Sequence, residues 1–277
     1  MSVVPTSSTS SADLVSTTVT LRGATGCDIV ARVVDQGTGR PIVFLHGLVG
    51  LNDHWEEVVR RVRDRTRCIM LEIPLLELRG ADCSVDGVMA LTVSFLKQAL
   101  GGEPAVLVGN SFGGHVALRV ALDHPDHVQA LVLAGSSGLI EKTMVKEITV
   151  RPNRDWLARK IGELFHDQSF VREADLDRAH RELSDRLGAR AMVQLSRSAR
   201  RNHLGDRISQ IKAPTLLVWG RNDIVTPPEA AAEFLQRLPN ARIVWFDQCG
   251  HAPMIEKATE FAEALIEFEA ELRRHER

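Results

Sequence analysis

Ala105-Val-Leu-Val-Gly-Asn-Ser-Phe-Gly-Gly114 joins an apolar run to a glycine-rich turn, and Val116, Ala117, Val120 and Ala121 beyond it fall at helical spacing. A strand entering Gly109-x-Ser111-x-Gly113 and leaving as a helix gives G-x-S-x-G chemical meaning. The serine then sits on a sharp turn with its hydroxyl above the sheet edge. Gly109 and Gly113 leave room where a side chain would strike neighbouring backbone. The helix N-terminus favours negative charge developing beside Ser111. A phosphate loop does not fit, because no Lys follows in the G-x-x-x-x-G-K-[ST] pattern and no G-x-G-x-x-G occurs. Ser111 is the candidate nucleophile.

A serine hydroxyl needs a base to take its proton, and the base needs an acid to orient it. Towards the C-terminus, the run Thr215–Trp219 leads into Gly220-Arg-Asn-Asp223, and Ile243–Phe246 leads into Cys249-Gly-His251. The resulting order of serine, acid and histidine is the one this turn calls for. Asp223 is the expected acid, with Asp247 as its rival, and His251 the expected base. Towards the N-terminus, Ile42–Leu45 enters Leu45-His-Gly-Leu-Val-Gly50, where glycines let the backbone approach the site. The N–H groups of Leu48 and Phe112 are the expected oxyanion donors. His46 reads as a brace for that loop. Trp55 is placed at the substrate as pocket wall, with core packing as its other reading.

Eight apolar, β-branched runs recur along the chain: Thr18–Leu21, Ile29–Val34, Ile42–Leu45, Cys68–Leu71, Ala105–Val108, Ala130–Leu133, Thr215–Trp219 and Ile243–Phe246. Several are apolar at successive positions, as in strands covered on both faces. Helical patterns lie between them, which argues an α/β class with a doubly wound, mostly parallel sheet. From about residue 138 to 204 no strand is evident, and Leu157, Ile161, Leu164 and Phe165 share one helical face. The expected organisation is a disordered tail over 1–16, a core over 17–137 and 205–277, and a helical cap over 138–204. The basic excess of the cap fits a solvated surface with intrahelical ion pairs. The other reading is that Arg197, Arg200 or Arg201 meets an anionic substrate.

Composition narrows the chemistry further. The 277 residues are 44% hydrophobic and carry a formal net charge of −2, which gives no reason to expect nucleic acid or an anionic membrane as partner. The chain has no tyrosine, so a phenol acts nowhere as acid, base or nucleophile. Four scattered cysteines without a C-x-x-C pair read as free thiols in a reducing, cytoplasmic compartment. The Ser/Thr-rich start lacks the basic and apolar stretches of a secretory signal. No histidine pair has H-x-x-x-H spacing, so neither a metal nor another cofactor is expected. A small-molecule substrate is the expected partner, and a homodimer is left open.

These motifs together resemble the α/β-hydrolase-fold serine hydrolases. The resemblance is carried by His46-Gly47, Gly109-Asn-Ser-Phe-Gly-Gly114, Pro214-Thr-Leu-Leu-Val-Trp-Gly-Arg-Asn-Asp223 and Gln248-Cys-Gly-His251. It implies an eight-stranded, mostly parallel sheet with helices on both faces and a helical cap inserted after the sixth strand. Within the fold the motifs look most similar to the meta-cleavage product hydrolases, which cut a carbon–carbon bond, and to related esterases. Asn110 matches the asparagine those hydrolases carry before the nucleophile and is placed at the substrate on that ground. Their tryptophan after the histidine is here Ala252. The loop after Cys68–Leu71, usually an aspartate with a glycine-rich turn, reads Glu72-Ile-Pro-Leu-Leu-Glu77. The expected function is hydrolysis of a small to medium carboxylic ester through an acyl-enzyme on Ser111. The alternatives are C–C hydrolysis of a ring-fission 1,5-diketone, or ligand binding without catalysis. Epoxide hydrolases and haloalkane dehalogenases of this fold place an aspartate where Ser111 stands.

Overall fold

Residues alternate between the two faces along β3 (Pro41–Leu45): Val43 and Leu45 enter one apolar layer, Ile42 and Phe44 the other. A strand buried on both faces therefore reads as an unbroken apolar run. The computed structural model describes residues 15–140 and 153–275 and makes strands of all eight runs. The others are β1 (Ser16–Arg22), β2 (Asp28–Gln36), β4 (Arg67–Glu72), β5 (Ala105–Asn110), β6 (Val128–Ala134), β7 (Thr215–Gly220) and β8 (Ala241–Phe246). They form one eight-stranded sheet in the order β1-β2-β4-β3-β5-β6-β7-β8. β2 pairs antiparallel with β1 and β4, and the remaining pairings are parallel. The expected tail lies outside the described residues up to residue 14. Ser16, assigned to it, already belongs to β1.

Helices α1 (Glu56–Val62), α2 (Val85–Leu100) and α3 (Phe112–Asp123) connect the first six strands. α4 (Arg154–Gly162), α5 (Glu173–Ser184) and α6 (Arg186–Arg201) all fall between β6 and β7, where the helical insertion was expected. α7 (Pro228–Arg237), α8 (Pro253–Glu256) and α9 (Ala258–His275) complete the chain. α2 shows how local sequence sets such boundaries. The Ser84 hydroxyl accepts from Gly87 N–H at its start, and Gly101 takes φ 60° at its end. α2, α3 and α7 cover one face of the sheet, and α1 and α9 the other. Among the described residues no helix is long and apolar enough to cross a membrane.

The parallel strands β3, β5, β6, β7 and β8 point their C-terminal ends the same way. The loops bearing Leu48, Ser111, Asp223 and His251 therefore gather at one edge, where ligands bind in open α/β sheets.

Candidate active site

Ser111 follows β5 directly, with φ 54° and ψ −118°, a backbone region costly for a residue with a Cβ. Its surroundings hold it there. Ser111 N–H donates to Ala134 O (3.1 Å), and its own carbonyl accepts from His115 N–H and Ser137 N–H at 3.1 Å each. The turn is also too crowded for larger residues. A Cβ on Gly113 would lie 2.3 Å from Leu45 O, and one on Gly109 2.5 Å from Gly113 O.

The Asp223 carboxylate is fully enclosed and accepts four hydrogen bonds. Oδ1 takes Val225 N–H (2.8 Å) and Thr226 N–H (2.9 Å), while Oδ2 takes the Thr226 hydroxyl (2.8 Å) and His251 Nδ1 (2.9 Å). Three of these come from residues just beyond Asp223, so the carboxylate is locked before it meets the imidazole. The Thr226 oxygen also lies 3.2 Å from His251 Nδ1, a neighbour that sequence reading missed. Asp247, the rival acid, is 84% exposed and paired with Arg221 at 2.9 Å. The His251 backbone is held on both sides: its N–H donates to Leu164 O (2.7 Å) and its carbonyl accepts from Asn110 Nδ2 (3.0 Å).

Ser111 and His251 line one cavity of about 150 Å³. The sheet side contributes Gly47, Leu48 and Val225, and the insertion contributes Trp156, Leu157, Ile161, Leu183 and Met192. Among the described residues, neither the Leu48 nor the Phe112 N–H donates to another residue, which leaves both free to bind a ligand oxygen. His46 holds the Leu48 loop as a brace, its ring nitrogens 2.8 Å from Gly47 O and 3.2 Å from Ile73 O. Burial lowers its pKa against the pull of those carbonyls and of Glu72.

One expected site residue needs correction. Trp55 is not in the cavity: it is fully buried, with ring centroids 5.3 Å from Phe44 and 5.7 Å from Phe261. Core packing, its other reading, is the one realised, and Trp156 lines the cavity instead. Asn110 lines the cavity, and its amide N–H groups also brace the site by donating to Ala134 O (2.9 Å) and His251 O (3.0 Å). Arg197, Arg200 and Arg201, the candidates of the alternative reading of the cap, do not line the cavity; Arg197 and Arg201 border a separate surface groove. Among the described residues of the insertion, the lysine or arginine at the cavity is Lys160, hydrogen-bonded to Glu163 at 2.9 Å.

The segment after β4, with its unusual Pro-Leu-Leu sequence, is a seat for the insertion. Leu76 packs with Leu157, Leu183 and Met192. Beside it lies an ion-pair network that sequence reading also missed. Arg172 and Arg178 of the insertion bind Asp175 at 2.7 and 2.9 Å, Arg172 binds Asp53 at 2.9 Å, and Arg178 donates to Val49 O at 3.1 Å. Burial works to raise the Asp175 carboxyl, yet hydrogen bonds from His54 and Arg172 hold it well below the usual range. Asp53, His54 and Asp175 bring ligand atoms within 4.8 Å of one another, but an incoming cation would have to displace the two guanidinium groups already bound there.

A strained serine on a sharp β5–α3 turn, with an Asp–His pair on the loops after β7 and β8, is the arrangement of the serine hydrolases of the α/β-hydrolase fold. The chain belongs to the Alpha/beta hydrolase family, whose pattern it matches over residues 42–264. It is similar to the pimeloyl-[acyl-carrier protein] methyl ester esterase of Nitrosomonas europaea, 31% identical over 81% of this chain and 94% of the relative. It is also similar to the 2-hydroxy-6-oxononadienedioate/2-hydroxy-6-oxononatrienedioate hydrolase of Comamonas testosteroni, 27% identical over 84% of this chain and 89% of that one. Among solved structures, an alpha/beta hydrolase enzyme from the metagenome of lagoon sediments of Mar Chica, Morocco, superposes with a TM-score of 0.71. It is 31% identical, covering 87% of this chain and 95% of that one.

Proposed function

We propose that the protein hydrolyses carboxylic esters of small to medium, uncharged acyl groups. Ser111 attacks the acyl carbon, His251 takes its proton, and Asp223 holds His251 in the tautomer that can accept it. The Leu48 and Phe112 N–H groups stabilise the oxyanion. The acyl-enzyme is released by water activated by the same histidine. The helical insertion serves as the cap that shapes the acyl site.

The observation that carries this reading is the lining of the cavity. Beside Ser111 and His251 it is predominantly aliphatic and aromatic, and among the described residues it contains no arginine. Its volume of about 150 Å³ suits a group the size of benzene or a six-carbon chain. Lys160 and Asp175 also line it, each already ion-paired, Lys160 to Glu163 and Asp175 to Arg172 and Arg178. A substrate carboxylate would therefore have to displace Glu163 or shed its water against apolar walls. A second reading, C–C hydrolysis of a ring-fission diketone acid, is favoured by Lys160 at the cavity and by the Comamonas relative.

The test is a panel of p-nitrophenyl acetate, butyrate and hexanoate with a ring-fission diketone acid, run on wild type and Ser111→Ala. Turnover of the esters, with loss of at least about a thousandfold in Ser111→Ala, is expected. Bleaching of the diketone with no ester turnover replaces the first reading by the second. Ester activity that survives in Ser111→Ala sinks both.

A further inference from the structure

The turn that carries His251 is gripped from the insertion as well as from the sheet. Gly250 and residues 164–166 meet at backbone contact: a Cβ on Gly250 would lie 2.7 Å from Leu164 O and 2.9 Å from His166 N. His251 N–H donates to Leu164 O across this seam. Glu256, five residues after the histidine and only 9% exposed, spans the same seam. Its Oε1 accepts from Gly250 N–H at 2.7 Å, and its Oε2 accepts from His166 N–H at 2.8 Å and Asp167 N–H at 3.1 Å. One carboxylate oxygen therefore holds the peptide N–H just before the base, and the other holds the insertion. The preceding residues of that segment, Leu164 and Phe165, line the cavity.

We propose that Glu256 is the positioning residue for His251, and that it couples the place of the base to the seating of the Leu164–Asp167 segment. The inference rests on His251 acting as the general base. An acyl chain long enough to press on Leu164 and Phe165 seats the segment, and through Glu256 the seated segment holds the His251 turn. Acetate is too short to use this route. Charge-assisted bonds from three N–H groups to one carboxylate are strong and directional, so Glu256 is stiff enough to transmit the contact. A glutamine keeps the packing but turns an N–H₂ towards one side of the seam, and that side loses its acceptor.

The experiment compares wild type with Glu256→Gln by steady-state kinetics on p-nitrophenyl acetate and hexanoate, and by the rate at which a fluorophosphonate labels Ser111. Glu256→Gln is expected to lower kcat on the hexanoate about 10- to 100-fold, the scale of a misplaced catalytic group, with KM nearly unchanged. The loss on acetate should be smaller, and labelling should slow. Glu256→Asp keeps the charge but is one carbon too short to reach both sides, and it should show the same split. Unchanged kcat in both variants overturns the inference, as does an equal loss on both esters. Loss of the fold in both variants assigns Glu256 to stability and overturns it as well. If the wild type is labelled yet cleaves neither ester, the ester reading fails, while slower labelling of Glu256→Gln still upholds the positioning role.

Discussion

Replacing Asp223 by Asn tests the tautomer argument with little change of shape. In the native site Oδ1 accepts two backbone N–H groups, at 2.8 and 2.9 Å, and an Asn oxygen placed there keeps both. The Asn N–H₂ then faces the Thr226 hydroxyl and His251 Nδ1, where Oδ2 had accepted at 2.8 and 2.9 Å. The hydroxyl can rotate to accept. His251 Nδ1 can accept only by giving up its proton, which moves to Nε2. An imidazole protonated on Nε2 cannot take the proton of Ser111. The expected result is a fall in kcat of about 10⁴, equivalent to about 5.5 kcal/mol on the barrier, with a melting temperature close to wild type. The assay is steady-state hydrolysis of p-nitrophenyl butyrate at saturating substrate, beside a thermal melt. Asp247→Asn, removing an exposed partner of Arg221, is the control and should stay near wild-type activity. A native-folded Asp223→Asn enzyme within about tenfold of wild-type kcat would refute the reasoning.

Two further outcomes concern stability. His115 is buried in α3 with Nε2 3.3 Å from Asn202 Oδ1, and burial lowers its pKa from 6.5 to about 4. The unfolded chain therefore takes up this proton first: the contribution is whole above pH 6.5 and is lost as pH falls towards 4. It amounts to about 3 kcal/mol. His115→Asn should flatten the melting temperature between these pH values, and an unchanged slope would show that other groups set it. Gly113→Ala would bring a Cβ to 2.3 Å from Leu45 O, a backbone atom that cannot swing aside. The expected loss is about 1–3 kcal/mol with displacement of the Ser111 turn, read by urea unfolding and fluorophosphonate labelling. Native stability with native labelling would show that the turn is looser than its geometry implies.

The parts of the site legible in the sequence are those fixed within a few residues of a strand end. Ser111 could be placed because Gly109, Gly113 and an apolar strand surround it locally, and Asp223 and His251 because each follows its own strand. Trp55 was misplaced because an aromatic residue a few positions beyond a site loop reads equally as wall or as core. Phe44 and Phe261, 11 residues before it and 206 after, decide between the two, and that proximity has no local sign. Leu76 against Leu157, Arg178 on Val49 O and Glu256 on His166 N–H escaped for the same reason, each spanning 80 residues or more. All three cross the seam between the sheet and the helical insertion. The local sequence around the strand ends thus specifies the reacting groups. The seam specifies how those groups sit relative to the cavity wall, so on the proposed function substitutions there should change substrate preference before they abolish labelling of Ser111.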